Sequence, residues 1–146
     1  MSTIKVDTYQ TRGGASEIAI DKLKGVTAAG SMLVVGEGGT VTTNLQQGLC
    51  KMWSHHTQAS TYTLDDSFNQ ASLTDVDTGQ SHLTFTNPPS NDKYSCSMTA
   101  GSSNNRRAIF TGNTTARVHV VVYQVASNTS AIDGGDVCCQ VAGDLA

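Results

Sequence analysis

The stretch Ala116-Arg117-Val118-His119-Val120-Val121-Val122-Tyr123-Gln124-Val125 decides the fold of this chain. Successive side chains of a β-strand point to opposite faces of the sheet, and here apolar residues occupy both faces from Val120 to Val122. A strand that is apolar on both faces is normally covered on both sides. We therefore expect this strand to lie in the middle of a β-rich core.

Further short strands surround this one, separated by turns rich in Gly, Pro, Asn and Asp. The predicted strands are residues 48–56, 67–76, 80–86, 94–99, 108–111, 116–125 and 137–142. The reversals at residues 77–79 and 112–115 predict hairpins. Six or seven strands over roughly a hundred residues predict an all-β fold, an antiparallel β-sandwich or a jelly roll.

The first 43 residues have a different character, with frequent glycines and few large apolar side chains. Residues 31–35 and 40–43 predict a hairpin around Gly36-Glu37-Gly38-Gly39, whereas residues 16–25 suit a short helix or a strand equally well. Ordering each residue costs roughly 1–2 kcal/mol of backbone entropy, and a lone hairpin is marginal in water. We expect a glycine-rich extended N-terminal arm that is disordered, or is ordered by something outside this chain's own core.

A seam of ten residues, 44–53, joins the two kinds of sequence and contains the single tryptophan, Trp53. We accordingly divide the chain into an assembly arm (1–43), the seam (44–53) and a β-sandwich domain (54–146). Large apolar side chains of the arm and seam are the expected contacts of the arm with the β domain or with a neighbouring subunit. The predicted interface residues are Leu45, Leu49, Trp53, Ile18, Ile20 and Val34.

Charge and hydropathy exclude several classes of partner. Nine basic and twelve acidic residues give a net charge of −3 without a clustered basic face, which argues against nucleic-acid binding. The sequence contains no stretch of some twenty apolar residues, so it does not predict membrane insertion. Residues 1–7 also lack the apolar segment of a signal peptide. We expect the chain to be synthesised in the cytosol and to stay there unless something else carries it out.

Histidines are the first candidates for a metal site. A site could combine one of the adjacent pair His55 and His56 with His82 and His119, but nothing in the spacing makes these residues converge. Surface histidines, or histidines packed against a partner, are the simpler interpretation. We predict no metal and no cofactor.

Enzymatic motifs are equally lacking in the sequence. The acids Asp65, Asp66, Asp75 and Asp77 flank predicted turns, where Asp favours local hydrogen bonds. No nucleophile elbow, phosphate-binding loop or dinucleotide-binding fingerprint is present. We predict no catalytic residues, and a small hydrolase would need a converging set of side chains that the sequence does not indicate.

Cysteines show no metal-binding spacing. Cys138 and Cys139 are adjacent in a predicted strand, so we expect their side chains to face opposite ways. Buried free thiols are the expected state of the four cysteines, and a Cys50–Cys96 disulfide remains open in principle.

Several segments together resemble small tail-fibre or virion structural proteins of marine tailed bacteriophages. They are Met1-Ser2-Thr3-Ile4-Lys5-Val6-Asp7-Thr8 followed by Gly13-Gly14, then Asn44-Leu45-Gln46-Gln47-Gly48-Leu49 with Lys51 and Trp53, then Asp66-Ser67-Phe68-Asn69, and Thr84-Phe85-Thr86-Asn87 before Pro88.

That resemblance implies a non-enzymatic virion component, a homo-oligomer and most simply a trimer. The arm would dock on other tail or head proteins of the particle, and the β domain would project outward. Symmetric copies can complete one another's glycine-rich arms. A head or tail decoration protein, and a module that binds a host-surface polysaccharide or receptor, are the alternatives that the resemblance leaves open.

Overall fold

The computed structural model describes residues 32–35, 39–101, 105–125 and 130–143. Within these ranges the chain is almost entirely β, with one helical turn, α1 (Leu45–Gly48). The strands are β1 (Leu33–Val35), β2 (Thr42–Asn44), β3 (Cys50–Gln58), β4 (Thr63–Phe68), β5 (Gln70–Asp77), β6 (Gln80–Phe85), β7 (Ser95–Ala100), β8 (Arg106–Phe110), β9 (Arg117–Gln124) and β10 (Gly135–Ala142).

Two four-stranded antiparallel sheets form the domain, which confirms the predicted all-β sandwich. Sheet I has the order β4-β3-β10-β7 and sheet II has the order β5-β6-β9-β8. β1 and β2 pair separately as a two-stranded sheet, which confirms the hairpin predicted around residues 31–43. β3 and β10, the first and last strands of the sandwich, are neighbours in the middle of sheet I.

The core lies between the two sheets. β9 lies inside sheet II, and its residues Val120, Val121 and Val122 are all buried, as their apolar run predicted. Successive side chains of a strand point to opposite faces of its sheet, so every second side chain points into the core. The buried apolar cluster consists of Met52, Leu83, Phe85, Tyr94, Val118, Val120, Val122, Val137, Cys139 and Val141.

The prediction of one strand over residues 67–76 was wrong. β4 ends at Phe68 in sheet I and β5 begins at Gln70 in sheet II, so the chain passes between the sheets at Asn69 alone. Asn69 has φ = 58°, which interrupts extended backbone. The sequence reading missed β4 because Asp65 and Asp66 were interpreted as turn residues.

We call this passage the Asn69 corner. The Asn69 side chain donates through Nδ2 to the carbonyls of Lys51 (2.8 Å) and Asn87 (2.9 Å), and its Oδ1 accepts from the Asn87 amide (2.7 Å). The Asn69 carbonyl accepts from the Thr86 amide at 3.0 Å. Asparagine tolerates positive φ better than most residues. One side chain therefore ties β3 of sheet I to the chain just after β6 of sheet II.

The predicted seam is divided among three elements, the end of β2, α1 and the start of β3. α1 follows β2 directly, and the Leu45 amide donates to the Met32 carbonyl at 2.9 Å across the base of the hairpin. Residues 50–53 form the first part of β3, so the sandwich already begins at Cys50 and not at residue 54.

We predict that Asn69→Ala lowers the free energy of unfolding by about 3 kcal/mol, through three lost hydrogen bonds and a positive φ that alanine disfavours. Asn69→Gly, which accepts the backbone conformation, should lose about 1 kcal/mol less. Urea denaturation of the full chain measures both variants. A change within about 0.5 kcal/mol for Asn69→Ala would contradict the importance of the corner.

Candidate functional site

An exposed aromatic pair marks the outer face of sheet I. Trp53 on β3 lies directly opposite Phe68 on β4 in the strand register, and their exposed fractions are 38% and 53%. Cross-strand aromatic pairs stabilise a sheet, and a large exposed apolar group beside others is typical of a contact surface. The structure thus places the predicted interface residue Trp53 next to Phe68, which the sequence reading did not select.

Two concave regions flank this pair. On one side, a groove of about 340 Å³ runs across sheet I and is lined by Trp53, His55, Thr99, Cys138 and Gln140. On the other side, a larger cleft of about 590 Å³ opens beside the Asn69 corner. We name it the Lys51 cleft; its lining includes Leu49, Lys51, Phe68, Asn69, Asn87 and Pro88.

The β1–β2 hairpin carries the predicted interface residue Val34. Its large apolar side chains are exposed by between 49% and 71%, and they are Leu33, Val34, Val35 and Val41. Leu45, at the base of the hairpin, is half-buried, whereas Leu49 is 52% exposed and lines the Lys51 cleft. Ile18 and Ile20 lie outside the described residues.

The four histidines do not converge on one point. His82 and His119 are direct cross-strand partners in sheet II, with ring centroids 4.8 Å apart, and His119 Nδ1 lies 3.1 Å from Thr111 Oγ1. Partial burial and the nearby Arg117 guanidinium lower the pKa of both rings. In the described part of the chain, no group of three or more His, Cys, Asp or Glu residues could hold a metal ion.

His55 and His56 face opposite sides of sheet I. His55 lies on the outer face with Nδ1 3.3 Å from Asp65 Oδ2, a half-exposed pair of the kind that contributes little to stability. His56 points between the sheets and is fully buried.

The buried His56 belongs to a polar network that crosses the core. Its Nδ1 lies 3.2 Å from Ser54 Oγ and its Nε2 lies 3.3 Å from Ser81 Oγ on β6. Gln58 Nε2 donates to the same Ser81 hydroxyl at 2.9 Å, and Gln58 Oε1 accepts from the Gly134 amide. Burial, followed by the nearby His55, lowers the pKa of His56 to about 4 against an opposing effect of Asp65. The network therefore contains a neutral imidazole near pH 7.

The acids make local contacts. Asp77 Oδ1 accepts from the next amide, Thr78, at 2.7 Å, and Asp66 Oδ1 accepts from Ser67 at 2.8 Å. Such bonds to neighbouring backbone amides agree with the local role expected of Asp66 and Asp77. Asp65 differs, because it lies in β4 and contacts His55 and Thr57 on β3.

The cysteines are free thiols. Cys138 is exposed and Cys139 is buried, so the two face opposite ways as predicted, although the expectation that all four thiols are buried was wrong for Cys138. A hydrogen bond with Cys96, together with burial, raises the pKa of the Cys139 thiol. Cys50 donates to the Met52 carbonyl at 3.1 Å and forms no disulfide with Cys96.

Comparisons with known proteins give no relative. No protein-family model, no curated protein and no solved structure matches the chain. The described residues contain no helix with the length and apolar character needed to cross a membrane. Function must therefore be inferred from this chain's own side chains.

Sequence reasoning missed two residues that shape these surfaces. Phe68 would have been found as the partner of Trp53 if β4 had been recognised. Lys51 had no distinguishing signal, because its environment depends on the Asn69 corner and on the segment after β6.

We predict that acid weakens the fold through His56. As the pH falls below about 6.5, the unfolded chain takes up a proton at this residue, while the folded chain does so only near a pKa of about 4. The free energy of unfolding should therefore decrease across this interval, by a contribution of about 2 kcal/mol at about pH 4.5.

His56→Gln retains hydrogen-bonding groups for Ser54 and Ser81 but cannot titrate. Urea denaturation at about pH 7 and about pH 4.5 should show a smaller loss of stability for this variant than for the wild type. His55→Gln, the exposed neighbour, should keep most of the wild-type dependence, because burial is the larger cause of the lowered His56 pKa. Equal behaviour of the two variants would refute this role of His56.

Proposed function

We propose that this chain is a non-enzymatic structural protein of a phage virion, attached to the particle by its N-terminal arm and projecting the β-sandwich. The observation that carries the proposal is the β1–β2 hairpin, a separate two-stranded sheet with exposed Leu33, Val34, Val35 and Val41. The resemblance of the arm and seam to tail-fibre and virion proteins supports the same role.

Energetics favour a partner for this hairpin. Two strands without a covering layer are marginal in water, whereas burying one Val or Leu side chain contributes about 1.5–3 kcal/mol. Several such side chains lie together on three-residue strands. Packing against a neighbouring subunit would remove this apolar surface from water.

Homo-oligomerisation is the simplest way to provide that cover. In a symmetric assembly each copy supplies the same hairpin and receives the same contact. Every hairpin can therefore be covered by another copy of the same chain. We propose a homo-oligomer, with a trimer as the first expectation, that contacts other tail or head proteins of the virion.

A second candidate is a module that binds a host-surface glycan. The groove beside Trp53 favours it, because one exposed aromatic ring adjoins polar side chains such as His55, Thr99 and Gln140. Binding sites of this kind combine an apolar surface with a few placed polar groups. Glycan-array binding that survives deletion of residues 1–43 would favour this candidate over assembly by the arm.

We predict that Val34→Asp weakens self-association by at least about tenfold, because assembly would then bury a charge. Light scattering over a series of concentrations measures the oligomer of the full chain. Val76→Asp is the matched control, since Val76 is an exposed strand valine of the sandwich. A monodisperse wild-type monomer, or an equal effect of both variants, would exclude assembly through the hairpin.

We also predict that Trp53→Ala weakens assembly by about tenfold, because the ring is 38% exposed in the single chain and free to contact a second copy. The monomer should lose about 1 kcal/mol of stability with the cross-strand contact to Phe68. Sedimentation velocity measures the assembly and urea denaturation measures the stability. Phe110→Ala removes an exposed aromatic ring from sheet II and should leave assembly unchanged. An oligomer unaffected by Trp53→Ala would exclude this face from the interface.

A further inference from the structure

Two thiols lie in contact on the face of sheet I that points toward sheet II. β10 pairs with β7 so that Cys139 is opposite Met98 and Val141 is opposite Cys96, which makes the two cysteines diagonal neighbours. Cys139 belongs to the buried apolar cluster and Cys96 packs against it. Both are free thiols, and the Cys139 thiol donates a hydrogen bond to the sulfur of Cys96.

Cys96 is accessible from one edge of the sandwich. A pocket of about 300 Å³ lies between β7 and β8, the edge strands of the two sheets, and is lined by Cys96, Met98, Ala108, Ile109 and Phe110. Cys96 and Met98 alternate with exposed residues of β7 and therefore point between the sheets, toward this pocket. Cys96 is half-buried, whereas Cys139, on the interior strand β10, is only 2% exposed. A small solute that enters at the edge can reach Cys96 before Cys139.

The surroundings of Cys96 favour its thiolate, the form in which a cysteine reacts as a nucleophile. The hydrogen bond from Cys139 lowers the pKa of Cys96, burial opposes it, and the Asn113 amide, with Nδ2 3.9 Å from Cys96 Sγ, lowers it further. The same thiol–thiol bond, together with burial, raises the pKa of Cys139. One thiol is thus prepared to attack, and its neighbour keeps a proton.

We propose that Cys96 and Cys139 form a redox site that reacts with hydroperoxides, with Cys96 as the attacking thiol and Cys139 as the resolving thiol. An accessible thiolate beside a second thiol is the arrangement found in cysteines that sense oxidants. This proposal goes beyond a structural role and does not depend on the β1–β2 hairpin or on assembly.

The reaction has two steps. The Cys96 thiolate attacks the terminal oxygen of the hydroperoxide, the O–O bond breaks, and the other oxygen leaves and takes a proton from water, so Cys96 becomes a sulfenic acid. The Cys139 sulfur then attacks the Cys96 sulfur, the S–O bond breaks, and the hydroxyl leaves with the Cys139 proton as water. The two thiols together lose two electrons, which reduce the hydroperoxide to an alcohol or to water.

The position of β7 allows the bond to form. An S–S bond is about 2 Å long, and diagonal positions are more widely spaced than directly opposed ones, so β7 must move toward β10. Among the described strands, β7 pairs with β10 alone, and its movement therefore breaks no pairing on a second side. The disulfide would fasten this edge strand to the interior of sheet I.

Peptide mapping of the oxidised full chain tests the proposal. The reduced protein is treated with a slight excess of hydrogen peroxide at neutral pH, its remaining thiols are blocked with iodoacetamide, and a non-reduced digest is analysed by mass spectrometry. The wild type should lose two of its four alkylatable thiols, and dithiothreitol should restore both. The linked peptides should contain Cys96 and Cys139, in at least about tenfold the yield of any other pairing, because only these sulfurs are held together.

Substitutions separate the roles of the two thiols. Cys139→Ala removes the resolving thiol, so Cys96 should stop at the sulfenic acid, which dimedone traps. Cys96→Ser should leave Cys139 reduced under the same conditions. Cys138→Ser is the matched control, because it removes the exposed thiol next to Cys139 and should leave the linkage unchanged. The wild-type map decides the linkage without any substitution in the core.

Three results would overturn the proposal. They are oxidation of Cys138 while Cys96 and Cys139 remain alkylated, a dominant disulfide between any other pair, and irreversible oxidation of Cys96 without a linkage to Cys139. Oxidation of Cys139 in Cys96→Ser at the wild-type rate would overturn the assignment of Cys96 as the attacking thiol.

Discussion

The hydrogen bonds of Asn69 are the constraint on which the sandwich depends. One residue separates β4 from β5, so the chain has no spare length in which to pass from sheet I to sheet II. The Asn69 side chain fixes this passage to Lys51 on β3 and to Asn87 after β6. The corner consequently positions Phe68 beside Trp53 on the outer face and encloses one side of the Lys51 cleft. Packing of the two sheets and the shape of the cleft follow from the same side chain.

A polar network fixes the two sheets at a second place. Most of the core is apolar, but His56 and Gln58 of sheet I both approach Ser81 of sheet II. Apolar packing supplies a large part of the stability of such a core, whereas hydrogen bonds between buried polar groups select one arrangement of the layers. The network holds a neutral histidine because burial disfavours the protonated ring. Among the described residues, the buried polar atoms without a hydrogen-bond partner are Lys51 Nζ, Gln70 Oε1, Asn113 Oδ1 and His119 Nε2.

The fold could be predicted where the signal is local. The valines of β9 predicted the central strand, and the turn at residues 77–79 predicted a hairpin. Both predictions were possible because alternation and turn chemistry depend only on neighbouring residues. The break at Asn69 could not be predicted in this way, since its positive φ is stabilised by Lys51 and Asn87, each 18 residues distant. The same holds for the candidate sites. Trp53 was selected as a large residue of the seam, but the aromatic pair and the cleft require the register of β3, β4 and β10.

Two parts of the chain differ in how their apolar surface is covered. The sandwich buries its apolar residues between its own sheets, whereas the β1–β2 hairpin exposes them. We propose, as the central point, that the sandwich is stable alone and that the hairpin is stabilised by another chain. Amide hydrogen exchange of the full chain, at concentrations below and above assembly, tests this claim most directly. The sandwich strands should be protected equally at both concentrations, and β1 and β2 should gain protection only on assembly. Equal protection of β1 and β2 in the dilute monomer would contradict the account.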